Sequence, residues 1–346
     1  RGLFIKPHTA TDRSAPRMGL NVHLLNLHSS IGTAPLLAQL HPSIHVTEGP
    51  ELIEPMGIDI LVGGFPSAEQ VAACTHLKAL IVPFAGVPSE TQQLLQARPE
   101  VSLHNLHYNV VPTAEMALAL LMAAAKLIVP MDRDLRVGDW TSRYIVTDAT
   151  ILDRKTALIL GYGQIGRRIA RGCRGLGMEV IGVKRTPPDA GSERDAEGAE
   201  VHAIAELATL LPRADALIMV LPETPETAGM IGARELAALR PGALLVNVGR
   251  GPTLDEAAIY NALRGGTLRA AGIDVWYAYP QTLEERTSKA PSRFPFHELD
   301  NVVMSPHRGG WLSEAEVDRL DQLAALLNAA ATGQPMANRV DKALGY

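Results

Sequence analysis

Two arrays of short apolar runs, each run followed by a helical stretch, divide the chain. In the first, residues 21–27, 58–62, 79–82 and 101–103 read as strands, and residues 34–40, 67–74 and 89–97 as helices. Short apolar strands alternating with helices predict a parallel sheet covered on both faces. Pro112-Thr113-Ala114-Glu115 then opens a long apolar helix through about Leu127, with Thr113 as its N-cap. A helix apolar on nearly all sides must be buried, between domains or at a dimer contact. Residues 130–150 read as polar and irregular, with Trp140 as an isolated anchor. The second array has strands at 157–160, 180–183, 216–220, 244–248, 271–275 and 302–304. A last helix, 313–331, is expected to return to the first domain.

The 346 residues are 47% apolar and 20% charged with a net charge of −5, a balance for a globular chain of two ordinary domains. No run of one sign points to a polyanion or a membrane surface. Arg167, Arg168, Arg171 and Arg174 fall on a helical period and read as a solvated face. Cys74 and Cys173, far apart in apolar surroundings, read as core thiols. They predict neither a disulfide nor a metal site, and fit a reducing, cytoplasmic compartment. No apolar run reaches the ~20 residues of a membrane span, and no secretory leader is evident. Met18 reads as a native start, and residues 1–17 as a scar or disordered extension.

Candidate chemistry begins at Gly161-Tyr162-Gly163-Gln164-Ile165-Gly166, placed after one strand and opening the helix 164–176. Gly161 permits a tight turn, Gly163 lets the backbone approach a pyrophosphate, and Gly166 lets helix and strand pack closely. The amides at the helix start, including those of Gln164 and Ile165, then hold phosphate charge. The next strand ends in Lys184-Arg185-Thr186, where recognition of a ribose 2′-hydroxyl would call for a carboxylate. Two cations and a hydroxyl suit a 2′-phosphate, which favours NADP over NAD. The alternative is that Lys184 and Arg185 lie exposed near the adenine.

Further strings make the chain resemble the D-isomer-specific 2-hydroxyacid dehydrogenase family. They are Leu244-Leu245-Val246-Asn247-Val248-Gly249-Arg250-Gly251, Asp255-Glu256, Ala271-Gly272-Ile273-Asp274-Val275-Trp276, Leu221-Pro222 with Glu226-Thr227, and Ser305-Pro306-His307. The resemblance spans about residues 109–310. It implies two doubly wound parallel-sheet α/β domains, a Rossmann cofactor domain (112–311) inserted in a flavodoxin-like substrate domain (18–111 and 312–346). It implies hydride transfer between a nicotinamide and a small 2-oxo/2-hydroxy acid, and a homodimer with the apolar helix after Pro112 as the contact. Arg250 would hold the substrate carboxylate in a planar fork, and His307 would exchange the proton. The amides of Ala85-Gly86-Val87 would meet the carboxylate, with Asn109 near the active-site mouth. Asp274 would face the nicotinamide. Val220, Leu221, Pro222, Thr227, Val248, Gly249 and Gly309 would line the cofactor cleft. Phe84, Tyr108, Trp276, Tyr279 and Trp311 would shape the pocket, while His104 and His107 read as satisfied loop histidines.

One position departs from the pattern. Most members carry a glutamate five residues after the aspartate that matches Asp274, pairing with the histidine and keeping its pKa raised. This chain has Tyr279 there, so His307 is expected to titrate lower. Either Tyr279 bonds the imidazole, or the insertion 281–297 brings Glu284, Glu285 or nearby Glu298 close. The Pro- and Phe-rich insertion is also a candidate for reshaping the pocket or an interface. The missing glutamate keeps two other functions open: a formate- or phosphite-type dehydrogenase, and a catalytically weak cofactor-binding regulator.

Overall fold

In the first domain, apolar runs of three to six residues become strands buried on both faces. The computed structural model describes residues 19–185 and 195–343; residues 1–18, Thr186 and the stretch to 194, and the last three residues fall outside it. Strands β1 (Leu20–Leu25), β2 (Ile44–Gly49), β3 (Ile60–Val62), β4 (Ala79–Val82) and β5 (Ser102–Asn105) form one sheet in the order β2-β1-β3-β4-β5. Every pairing in it is parallel. Helices α1 (Ala34–Leu37), α2 (Ala68–Ala73) and α3 (Ser89–Gln96) connect these strands. Ser67 caps α2, accepting from the Gln70 amide. The exposed edge of β5 is covered by the C-terminal tail, whose Val340 amide donates to Leu103 O.

β2 is absent from the sequence expectation. Its residues Ile-His-Val-Thr-Glu-Gly are half-exposed at a sheet edge, so they lack the continuous apolar run that marks the inner strands.

Helix α4 (Val110–Lys126) leaves the first sheet and packs on the second domain. Its N-cap position is Asn109, not Thr113: the Thr113 amide already bonds Asn109 O at 3.0 Å, one turn inside the helix. Leu127, at φ +55°, breaks the run, and α5 (Ile128–Arg136) leaves at 67° to α4. A helix therefore occupies the start of the segment read as irregular. The long helix thus ends where the pattern placed its end, at Leu127, and only α5 was not expected.

Strands β6 (Thr156–Leu160), β7 (Glu179–Lys184), β8 (Glu200–Ala203), β9 (Ala216–Met219), β10 (Ala243–Asn247), β11 (Leu268–Ile273) and β12 (Val302–Met304) form the second sheet. Its order is β12-β11-β10-β9-β6-β7-β8, and it is parallel throughout. β8, a polar edge strand, is the other strand the pattern missed. Helices α6 (Gln164–Gly175), α7 (Leu207–Leu210), α8 (Ala233–Ala238) and α9 (Glu256–Arg264) connect the strands. On α6 the four arginines are exposed while Ile169, Ala170 and Cys173 are buried, as the solvated-face reading predicts.

The last helix, α10 (Ser313–Ala331), returns to α1 and β2. It buries Leu320, Leu323 and Leu327 in the first domain's core, each contributing about 1.5–3 kcal/mol. Among the described residues no single helix is long and apolar enough to cross a membrane, and no three His, Cys, Asp or Glu cluster as a metal site requires. Cys74 and Cys173 are buried and free.

Candidate active site

The strand order of the second sheet reverses between β6 and β9, and the crevice at such a switch point is where α/β sheets bind ligands. The glycine turn lies there. Gly161 sits at φ +104°, and a Cβ on it would come 2.7 Å from Val220 O at the end of β9. A Cβ on Gly166 would come 2.6 Å from Gly161 O, so α6 packs against its own entry turn. At Gly163 nothing lies within 4 Å of that position. The space over the first amides of α6, where Gln164 and Ile165 stand, is therefore open. This fits a diphosphate, because the first-turn N–H groups of a helix have no partner within it.

Lys184 ends β7 beside a pocket of about 180 Å³, shared with Tyr162, Arg167, Asp195 and Glu197. Asp195 accepts from the Tyr162 hydroxyl, and Glu197 pairs with Arg171. The pocket's carboxylates are thus already engaged by other groups. Arg185 follows at the surface, and Thr186 lies outside the described residues.

Val220, Leu221 and Pro222 continue β9 at the cleft. A Cβ on Gly249 would come 2.6 Å from Leu221 O, so only glycine lets the ends of β9 and β10 approach this closely. Val248 is buried in the domain core. Thr227 is buried too, and its hydroxyl donates to Pro222 O at 2.7 Å, holding the 222–227 loop at the cleft.

Across the cleft, Arg250 follows β10 directly. Asn247, 1% exposed, fixes that turn: its Oδ1 accepts from Gly249 N and its Nδ2 donates to Arg250 O. Asn247 was not singled out from sequence, although a buried polar residue before Gly-Arg-Gly is a readable signal. Arg250 Nη1 donates to Gly249 O at 2.8 Å, and its guanidinium lies so close to Gly86 that a Cβ there would overlap Nη2. The Ala85-Gly86-Val87 loop of the first domain and Arg250 of the second therefore meet. Asn105 Nδ2 holds the loop through Ala85 O. Burial lowers the Arg250 pKa, partly offset by Tyr279 and Glu223, yet a guanidinium stays charged.

His307 sits in the loop between β12 and α10 at φ +58°, a left-handed conformation rarely adopted by a side chain of this size. Asp274, 1% exposed, holds that loop. Its Oδ1 accepts from Ser305 Oγ and Arg308 N, and its Oδ2 from Gly309 N. The carboxylate expected at the nicotinamide, and the Gly309 amide, are thus committed to each other. Trp276 Nε1 adds a bond to Ser305 O. Asn109 packs against Gly310, its Oδ1 buried with no partner among the described residues.

Of the alternatives at the departing position, the structure selects the tyrosine. Tyr279 Oη lies 2.9 Å from His307 Nδ1 and accepts from the Trp276 amide at 3.0 Å. Glu285 instead bonds Gln281 N and Lys289 within the insertion. Within the insertion, Phe296 is 1% exposed and packs edge-on to Trp276 and Tyr260 in the core. Trp276 is likewise a core residue at 4% exposure, whereas Trp311 is open to solvent beside Arg308. Crowding lowers the pKa of His307, Arg250's charge lowers it further, and Asp274 partly opposes both. His104 is a satisfied buried histidine, bonded to Ala337 O and Ser102 Oγ.

Comparison with known proteins places these features in a wider set. The model of the D-isomer specific 2-hydroxyacid dehydrogenase, NAD binding domain, matches residues 118–309. A glyoxylate reductase of Thermococcus litoralis is 35% identical over 236 residues, 66% of this chain and 66% of that protein. A D-3-phosphoglycerate dehydrogenase of Archaeoglobus fulgidus is 32% identical over 274 residues, 79% of this chain and 49% of that protein. The chain thus spans about half to two thirds of these relatives' lengths. A crystal structure of a D-isomer specific 2-hydroxyacid dehydrogenase from Xanthobacter autotrophicus Py2, in complex with NADPH and MES, is 26% identical. It superposes with a TM-score of 0.76, covering 95% of this chain and 100% of that one.

Proposed function

Because the chain belongs to the D-isomer-specific 2-hydroxyacid dehydrogenase family, we propose that it is an NAD(P)-dependent oxidoreductase moving hydride between a nicotinamide and C2 of a small 2-oxo/2-hydroxy acid. Residues 112–311 hold the coenzyme, and residues 18–111 with 312–346 close over the substrate. One observation carries this reading: Arg250 reaches from the second domain onto the Gly86 loop of the first, in the cleft where His307 also lies. Arg250 grips the substrate carboxylate and polarises its carbonyl with help from the 85–87 amides, while His307 exchanges the proton on oxygen. Closure of the cleft excludes water. When bound, the coenzyme supplies or accepts the hydride. Lys184 and Arg185 favour NADP, in line with the NADPH in the Xanthobacter relative.

The test mixes purified protein with NADPH or NADH and with glyoxylate, hydroxypyruvate, pyruvate, formate and phosphite, each redox partner in the matching direction. Turnover is expected on a 2-oxo acid, falling at least 100-fold in Arg250→Ala. Coenzyme binding without turnover on any of these substrates would overturn the proposal.

The proposal includes a homodimer with α4 at its contact; half of that helix is buried within the second domain, and its remaining face is left for the partner. The supporting surface lies just beyond, where Val137, Tyr144, Val146 and Ile151 are 69–100% exposed. Sedimentation of Val146→Asp against the unaltered chain tests it, with monomer expected for the variant. A reducing, cytoplasmic location fits the two free buried thiols.

A further inference from the structure

The phenol of Tyr279 does something a carboxylate at this position cannot. A carboxylate only accepts, so a paired histidine must carry its proton on Nδ1 and present a bare Nε2 whenever the ring is neutral. A hydroxyl also donates. At Tyr279 one oxygen lone pair is taken by the Trp276 amide at 3.0 Å, and His307 Nδ1 stands 2.9 Å away, within reach of the phenol proton. A neutral ring that accepts at Nδ1 carries its own proton on Nε2.

Resting on the dehydrogenase reading, we propose that Tyr279 holds neutral His307 as the Nε2–H tautomer and relays a proton through it to the substrate oxygen. In the reducing direction, hydride from the reduced nicotinamide dinucleotide forms the C–H bond at C2. The carbonyl oxygen takes the Nε2 proton as Nδ1 takes the phenol proton. The ring stays neutral throughout, and the product is an alcohol beside a tyrosinate. One proton from water restores the pair. The relay answers a chemical need, because a neutral imidazole with no donor behind it would be left as an imidazolate.

The surroundings match. The charged groups that bear on the pair are Arg250 after β10, Asp274 after β11 and Glu223 after β9. Asp274 already accepts three hydrogen bonds. Arg250 and the Trp276 amide both stabilise a transient phenolate. Burial and the charge of Arg250 both lower the pKa of His307, which favours the neutral ring. The phenol is raised by burial, so it keeps its proton there.

Two measurements test this. The first needs no turnover: long-range proton–nitrogen spectra of protein labelled with ¹⁵N-histidine, His307 being assigned by the signal lost in His307→Asn. The Nε2–H tautomer is expected at pH 8, with the Nδ1 signal moving in Tyr279→Phe and the tautomer switching to Nδ1–H in Tyr279→Glu. Nδ1–H in the unaltered protein, or an unmoved Nδ1 signal in Tyr279→Phe, would overturn the proposal. The second is the pH profile of 2-oxo acid reduction. It should stay level from about pH 7 to 9, below the ordinary tyrosine range near 10. Tyr279→Phe should instead lose tenfold per unit above the pKa of His307. A tenfold-per-unit fall in the unaltered enzyme through the histidine range would sink the relay. If no substrate turns over, the spectra still decide the tautomer while the dehydrogenase reading fails by itself.

Discussion

Two loops of the second sheet end a strand at the cleft, and both contain a residue in left-handed backbone, yet they are built by opposite means. After β6 the residue is Gly161 at φ +104°, and after β12 it is His307 at φ +58°. At Gly161 sterics alone set the residue type, because a Cβ would collide with the end of β9. At His307 a large side chain is kept where it costs about 1–2 kcal/mol, and the three bonds to Asp274 hold it there. The first loop is shaped by what is missing from it, and the second by a buried anion from another strand. Of these two loops, only the one that has to aim a side chain carries strain.

That contrast can be broken from either side. The largest effect is expected from Asp274→Ala, which strands two amides and a hydroxyl, each at about 1–3 kcal/mol if left buried. With His307 no longer aimed, kcat/KM should fall on the order of 1000-fold, or ~4 kcal/mol. Steady-state kinetics alongside thermal melting checks this, and a loss under tenfold would mean the loop holds itself. Next is Gly161→Ala, which should weaken coenzyme binding about 100-fold and cost ~2 kcal/mol or more of stability, read by fluorescence titration and urea unfolding. Gly163→Ala sharpens the point. With nothing near its Cβ, stability should stay within ~0.5 kcal/mol while coenzyme affinity falls about tenfold through lost phosphate approach. Trp276→Phe should have the smallest effect, removing one bond to Ser305 O. It should cost about 1 kcal/mol and lower turnover less than tenfold, and a larger loss would move the loop's main support from Asp274 to Trp276.

The same contrast explains what was legible in the sequence. Apolar runs flanked by turn residues revealed the inner strands, and the Gly161–Gly166 spacing revealed the coenzyme turn, because both signals are local. Edge strands β2 and β8 were missed, since half-solvated strands carry polar residues. The end of α4 at Leu127 was legible, but α5 beyond it was missed, because its charged residues bury nothing and carry no apolar run. At the site, residue types placed Arg250 and His307 in one constellation. The roles of Asp274 and Tyr279 depend on partners 28 to 35 residues away, and the choice between Tyr279 and three glutamates as the partner of His307 could close only in three dimensions. The internal bonds of Thr227 to Pro222 O and of Asp274 to the 305–309 loop likewise depend on the fold and could not be read from residue type.

The route of the backbone has one more consequence. It passes from the first sheet to the second between β5 and α4, and returns between β12 and α10. The two passages touch where Asn109 lies against Gly310. A body joined to another by one cord can swivel any way, but two cords side by side act as the pins of a door. A rotation of one domain on the other would be steered about the line through that contact. His307 rides beside the pins, while the facing surfaces of Gly86 and Arg250 form the swinging edge and its jamb.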